Sequence, residues 1–122
     1  MDHMGQFTVR GRLTGPTGVR EDVDLLVDTG STLLVVSRSL ADQLDLVQQR
    51  METVWRAGDQ EATWPVAEVR LALGDKHVTT PCMIAPRGPA LLGAVALESL
   101  FLAVDPVGKR LVPVHGYVLA NR

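Results

Sequence analysis

A single cysteine, Cys82, excludes an internal disulfide framework and suits a reducing compartment. Its neighbours, Pro81 before and Met83-Ile84 after, make it a small buried hydrophobe rather than a nucleophile. Aromatic residues are scarce as well: two Trp, two Phe and one Tyr. With no run of basic residues and a net charge of −2, nothing in the sequence suggests a nucleic-acid-binding surface, and no nucleic-acid partner is expected. Long apolar runs are missing, so no segment is expected to span a membrane. The start, Met1-Asp2-His3-Met4-Gly5, has no apolar leader core, and the expected location is the cytoplasm. His3, His77 and His115 share no ligand spacing with one another or with Cys82, which argues against a zinc site; no metal or other cofactor is expected. Lysine is rare, with Lys76 and Lys109 against ten arginines, a bias to which no function attaches.

What is present is the composition of a globular protein, 46% hydrophobic and 21% charged. The 122 residues fit one domain over 1–122, with residues 1–5 expected to be disordered or foreign to the natural chain. A chain of this size buries roughly two-thirds of its unfolded surface, enough for a real core. The most informative stretch runs from Leu25 to Val36, where two short runs rich in Val and Leu flank Asp28-Thr29-Gly30-Ser31-Thr32. The runs read as buried strands, so Asp28 is expected at the floor of a depression, partly desolvated. A desolvated carboxylate has a raised pKa unless hydrogen bonds or a cation oppose it, which makes Asp28 a candidate for acid–base chemistry. The plainer alternative is a strand-ending turn closed by an Asx-type hydrogen bond.

In chain order, Phe7 to Leu13 alternates apolar and polar residues as a half-buried strand does, and Thr14 to Gly18 is a turn. That turn lacks the Gly-Lys-Ser/Thr ending of a phosphate cradle. Val19 to Val27 returns as the second strand of a hairpin that delivers Asp28. Asp22 and Asp24 begin like a calcium loop, but Leu26 and Val27 occupy positions where ligands and the turn glycine belong, so both read as solvated strand residues. Leu33 to Val36 is a strand, and Ser37 to Leu44 a short helix capped by Ser37 or Ser39. Arg50 to Trp55 and Glu61 to Leu73 are strands about the turn Ala57-Gly58-Asp59-Gln60, with Pro65 marking an edge or a bulge. Strands follow over His77 to Ala85, Ala90 to Leu92, Phe101 to Val104 and Lys109 to Val114, with a helix over Ala94 to Leu100. His115 to Ala120 is apolar enough for one more strand. Short strands at regular spacing with two brief helices predict an all-β fold, closed or sandwiched. A Ser/His/Asp triad assembled from Ser31, His115 and Asp28 has no nucleophile elbow to support it.

Leu26-Val27-Asp28-Thr29-Gly30-Ser31 resembles the active-site loop of aspartic proteases, which carry two hydrophobic residues before Asp-Thr/Ser-Gly. The order of later parts is similar to the single-domain, retroviral-type (retropepsin-like) members of that family: a hairpin after the loop, then Leu91-Leu92-Gly93 just before a helix. The resemblance covers residues 7–114. It implies a closed β-barrel or sandwich with a flap hairpin and one or two short helices. It makes Asp28 the catalytic carboxylate and Thr29 the residue that grips the partner subunit beneath the two carboxylates, with Gly30 closing the loop. Ser31 resembles the hydroxyl that hydrogen-bonds the carboxylate in pepsin-type sites. Such a bond would favour the ionised carboxylate and an acidic pH optimum. Trp55, Ala57, Gly58, Asp59 and Gln60 fall in the implied flap, although its tip lacks the glycine-rich sequence of the retroviral enzymes. Trp55 and Trp64 straddle that tip, either as strand packing or as cleft lining. Leu91, Leu92 and Gly93 are implied to pack behind the loop.

Peptide hydrolysis by carboxylates alone needs two of them sharing one proton, and this chain has one Asp-Thr-Gly. The second must come from another copy, so the implied partners are a peptide or protein substrate and an identical subunit across a twofold axis. A second function fits the same residues: a non-catalytic dimeric β-module that binds an extended peptide in the same cleft.

Overall fold

Alternation dictates the first two strands. Gly11 and Leu13 are buried and Val9 half-buried, while Thr8, Arg10 and Arg12 stay in solvent, which gives β1 (Thr8–Thr14). The chain turns and returns antiparallel as β2 (Arg20–Val27), in register from Thr8↔Leu26 to Thr14↔Arg20. Opposite charges meet across this hairpin, Arg12 with Asp22 at 2.7 Å and Arg10 with Asp24 at 3.1 Å. The hydrogen bond from Arg12 holds the Asp22 carboxyl below the usual carboxylate range. Both aspartates are thus solvated strand residues, as the sequence suggests.

The structure, a computed structural model, describes residues 6–119. The expectation for residues 1–5 lies outside the described residues. The remaining elements are β3 (Leu34–Ser37), α1 (Arg38–Gln43), β4 (Arg50–Arg56), β5 (Gln60–Leu73), β6 (Lys76–Ala85), β7 (Ala90–Leu92), α2 (Ala94–Ser99), β8 (Leu102–Asp105) and β9 (Arg110–Pro113). Of the two candidate caps for α1 it is Ser37 that serves, its Oγ accepting from the Leu40 N–H at 3.2 Å.

The main sheet runs β1-β2-β7-β3-β6-β5-β4, and β1 pairs back onto β5 through Leu13↔Leu71 and its neighbours. That pairing closes β1, β2, β7, β3, β6 and β5 into a barrel and leaves β4 outside. Strands β2 and β7, and β3 and β6, are parallel; the other pairs are antiparallel. A separate hairpin, β8 with β9, follows α2. The long strand β5 changes neighbour at Val66: residues 60–66 pair with β4 and residues 66–73 with β6. Pro65 sits at this hand-over, paired to Met51 on one side only, so its missing N–H breaks no ladder on the other flank. Of the two expectations at Pro65, the edge is the one realised.

Leu13, Leu25, Leu34, Val36, Leu71, Cys82, Ile84 and Leu92 fill the barrel with less than 3% of their surface exposed. The alternate residues of the same strands, Val35, Val66, Met83 and Ala85, form a second apolar cluster with Leu33, Val54, Trp64 and Leu91. Leu34, Val35 and Val36 of β3 and residues 82–85 of β6 therefore read as unbroken apolar runs because both of their faces are covered.

Two expectations near the end of the chain are corrected. Phe101 does not open a strand: its φ of +56° ends α2 in the left-handed region, its N–H bonded to the Glu98 carbonyl at 3.0 Å, and β8 starts one residue later. Residues 114–119 form no strand, and Tyr117, Val118 and Leu119 are more than 80% exposed. An apolar run becomes a strand only where a neighbour offers a ladder, and among the described residues no strand pairs with it. Ala120 lies outside the described residues.

Cys82 is fully buried, and loss of hydration pushes its thiol up to about 12. The folded protein is expected to leave a thiol-reactive dye untouched at pH 8 and to take up one equivalent only after denaturation. The unfolded chain ionises this thiol first, so its contribution to stability is present below about pH 9 and is lost as pH rises toward about 12. Rapid labelling of the native protein would contradict the burial.

Candidate active site

The loop that follows β2 is built from backbone hydrogen bonds. The Asp28 N–H donates to the Leu92 carbonyl at 3.0 Å, and the Ser31 N–H to the Asp28 carbonyl at 3.1 Å. The Gly30 N–H donates to Asp28 Oδ1 at 3.0 Å, which is the Asx-type turn foreseen as the plain reading of this segment. The turn and a chemical role are compatible, because it fixes one carboxylate oxygen and leaves Oδ2 without a hydrogen-bond donor from the described residues. Asp28 is half-buried, as the flanking apolar runs predict.

Helix α2 completes the loop's support. Its N-cap is Gly93, which has no side chain to offer. The first N–H groups of the helix find the loop instead: Ala94 donates to the Ser31 carbonyl at 2.8 Å and Val95 to the Thr32 carbonyl at 3.0 Å. This contact needs a residue without a side chain. A Cβ on Gly93 would lie 2.4 Å from the Leu33 carbonyl oxygen and 2.5 Å from that of Ser31.

One sequence expectation fails in this loop. The Ser31 hydroxyl was expected to donate to the Asp28 carboxylate, but its proton goes to the Leu33 carbonyl at 2.9 Å. A hydroxyl has one proton, and the acceptor two residues on is held within reach by the same turn. The argument for an acidic pH optimum rested on that bond and loses its support.

Asp28 opens into a cleft of about 840 Å³. Gly30, Ser31, Thr32 and Leu33 line one part of it. The β4–β5 hairpin lines another with Val54, Trp55, Ala57 and Trp64. The floor is the second apolar cluster, Val35, Met83, Ala85 and Leu91. Both tryptophans thus line the cleft. Trp64 is half-buried on the second cluster, whereas Trp55 is 72% exposed. Gly58, Asp59 and Gln60 form the tip of the hairpin and do not reach the cleft wall; Gly58 and Asp59 take left-handed backbone angles there, with φ of +82° and +59°. Thr29 is exposed beside the cleft and does not line it. Leu91 faces the cleft, whereas Leu92 and Gly93 are buried behind the loop. Arg50, Glu52, Arg56 and Arg87 also line the cleft and were not singled out by sequence reasoning. Alternating charge on a strand and an arginine in a Pro/Gly loop look like ordinary solvated surface.

Among the described residues no group of three His, Cys, Asp or Glu side chains converges to hold a metal ion. No described helix is long and apolar enough to cross a membrane.

Residues 8–96 match the sequence model of a family described as aspartyl protease. No curated protein matches the chain. Among solved structures, the fold is similar to that of EIAV protease, determined in complex with the inhibitor HBY-793. The TM-score is 0.63 at 16% identity, over 82% of this chain and 92% of the viral one. The all-β, retropepsin-like barrel expected from the sequence is thus the fold observed.

Replacing Gly93 by Ala forces two backbone carbonyls apart. Gly93→Ala is expected to lower stability by about 1–3 kcal/mol, the usual range for overpacking. Urea unfolding measures the loss, and an unchanged midpoint would show that the loop and helix are not in tight contact.

Proposed function

Because this chain belongs to the aspartyl protease family, we propose that it is an endopeptidase that acts as a homodimer, with Asp28 of each subunit at the shared site. The observation that carries the reading is the position of Asp28: half-buried, one oxygen held by Gly30, and lining a cleft of about 840 Å³. Each chain supplies one such carboxylate, and the chemistry needs two. One is ionised and takes a proton from the attacking water. The other is protonated and polarises the scissile carbonyl. Two close carboxylates cannot both ionise cheaply, so the single proton belongs to the pair.

The remaining site residues take supporting roles. Thr29 and Gly30 are exposed in the single chain, which leaves them available to a second copy, and Thr29 is assigned the grip between subunits. Ser31 shapes the loop through Leu33 rather than touching the carboxylate. The β4–β5 hairpin acts as the flap, with Trp55 and Ala57 toward the substrate and Gly58, Asp59 and Gln60 as its tip. Leu92 and Gly93 hold the loop from behind, and Leu91 belongs to the substrate floor. No cofactor or metal enters the scheme. A cytoplasmic setting fits the lone, reduced Cys82.

The wild-type protein is expected to cleave members of a mixed peptide library, with specific activity that falls on dilution as the dimer separates. Activity against pH is expected to trace a bell, because the pair must hold one proton. Asp28→Asn is expected to abolish cleavage while leaving the melting temperature and peptide binding nearly unchanged. Cleavage that survives Asp28→Asn would remove Asp28 from the chemistry. A wild-type dimer that binds peptides and cuts none would leave the non-catalytic peptide-binding module in its place.

A further inference from the structure

The charges on the cleft wall are unevenly satisfied. Six arginines are occupied: Arg10, Arg12, Arg38, Arg50 and Arg110 each hold a carboxylate within 3.4 Å, and Arg70 meets His77 Nδ1 at 2.7 Å. Among the described residues only Arg20, Arg56 and Arg87 meet neither a carboxylate nor another hydrogen-bonding side chain. Two of these three, Arg56 and Arg87, line the cleft. The carboxylates on the same wall are already assigned, Glu52 to Arg50 at 2.9 Å and Asp28 to the proposed chemistry.

Both side chains line the wall, and they are restrained differently. Arg56 lies over the Trp64 ring, 5.5 Å from its centroid, a contact that orients the cation without neutralising it. Arg87 sits in the short β6–β7 loop between Pro86 and Gly88-Pro89, where the prolines narrow the backbone's freedom. A guanidinium offers paired N–H donors that match a carboxylate in two-point contact, and it repels a cationic side chain.

We infer that the peptide taken by this cleft carries an acidic side chain, Asp or Glu, near the apolar residues that cover its floor, and that Arg56 and Arg87 select it. The inference rests on the endopeptidase reading and names its substrate class. In a twofold dimer each arginine appears on both sides of the site, so an acidic residue is accepted on either side of the cleaved bond.

The test uses fluorogenic peptides with an apolar centre and one Glu moved through the flanking positions, each matched to versions with Gln and with Lys. At the best position, Glu is expected to exceed Gln by roughly tenfold in kcat/KM and Lys by more, as a charge-assisted pair on an open wall allows. Both arginines are exposed, so the preference should shrink as ionic strength rises from about 0.05 to about 0.5 M. The double variant Arg56→Gln/Arg87→Gln, checked for an unchanged melting temperature, should bring the Glu-to-Gln ratio close to one. A wild-type ratio near one at every position overturns the inference while leaving the peptidase standing. So does a Glu preference that persists in the double variant. If no peptide of any charge is cut, the endopeptidase reading fails separately. Fluorescence anisotropy of the same peptides then decides selectivity: tighter binding of Glu that the double variant loses upholds it, and equal binding of Glu and Gln overturns it.

Discussion

The structure depends on one backbone contact, the seating of the Asp28 loop on Leu92, Gly93 and the first turn of α2. Four groups that would otherwise be orphaned satisfy one another there. The helix N–H groups of Ala94 and Val95 meet the carbonyls of Ser31 and Thr32. The contact is close because position 93 has no side chain, and a Cβ there would collide with two carbonyl oxygens. From it follow the position of Asp28, the pairing of β2 with β7, and the antiparallel contact of β7 with β3 at Val35↔Leu91. A helix of six residues has little stability of its own, so loop and helix hold each other in place.

The strands around that contact serve two purposes at once. Leu34, Val36, Cys82, Ile84 and Leu92 close the barrel, while Val35, Met83, Ala85 and Leu91 make the cleft floor from the same strands. A strand buried on both faces has no solvent side on which it can vary freely. Changes to the cleft floor are therefore changes to a strand whose other face is core, and the two properties are coupled by the period of two.

The sequence made the local parts legible. The β1–β2 hairpin follows from the alternation around Val9, Gly11 and Leu13, and the cap of α1 was narrowed to Ser37 or Ser39. The Asp28 loop follows from a polar break between apolar runs. Its support by Leu92 and Gly93 came from resemblance, and the close approach at Gly93 gives it a physical basis. The cleft floor was not legible, because periodicity reports that Val35 and Met83 are covered and not whether core or cleft covers them. Ser31 was misread for a related reason. Its hydroxyl had two acceptors within the same turn, and only the backbone geometry places the Leu33 carbonyl at 2.9 Å. The segment after Val114 has the apolar content of a strand, but a ladder needs a neighbour, and sequence pattern does not supply one.

Barrel closure has a further consequence, for solubility. Each of the six barrel strands has a neighbour on both sides over part of its length, which reduces the template on which a stray chain could polymerise. The outermost strand of the main sheet is β4, and it carries Arg50, Glu52 and Arg56 along its length. Charges so placed discourage edge-to-edge growth. Here the strand left uncovered is one whose charges make indiscriminate stacking unfavourable.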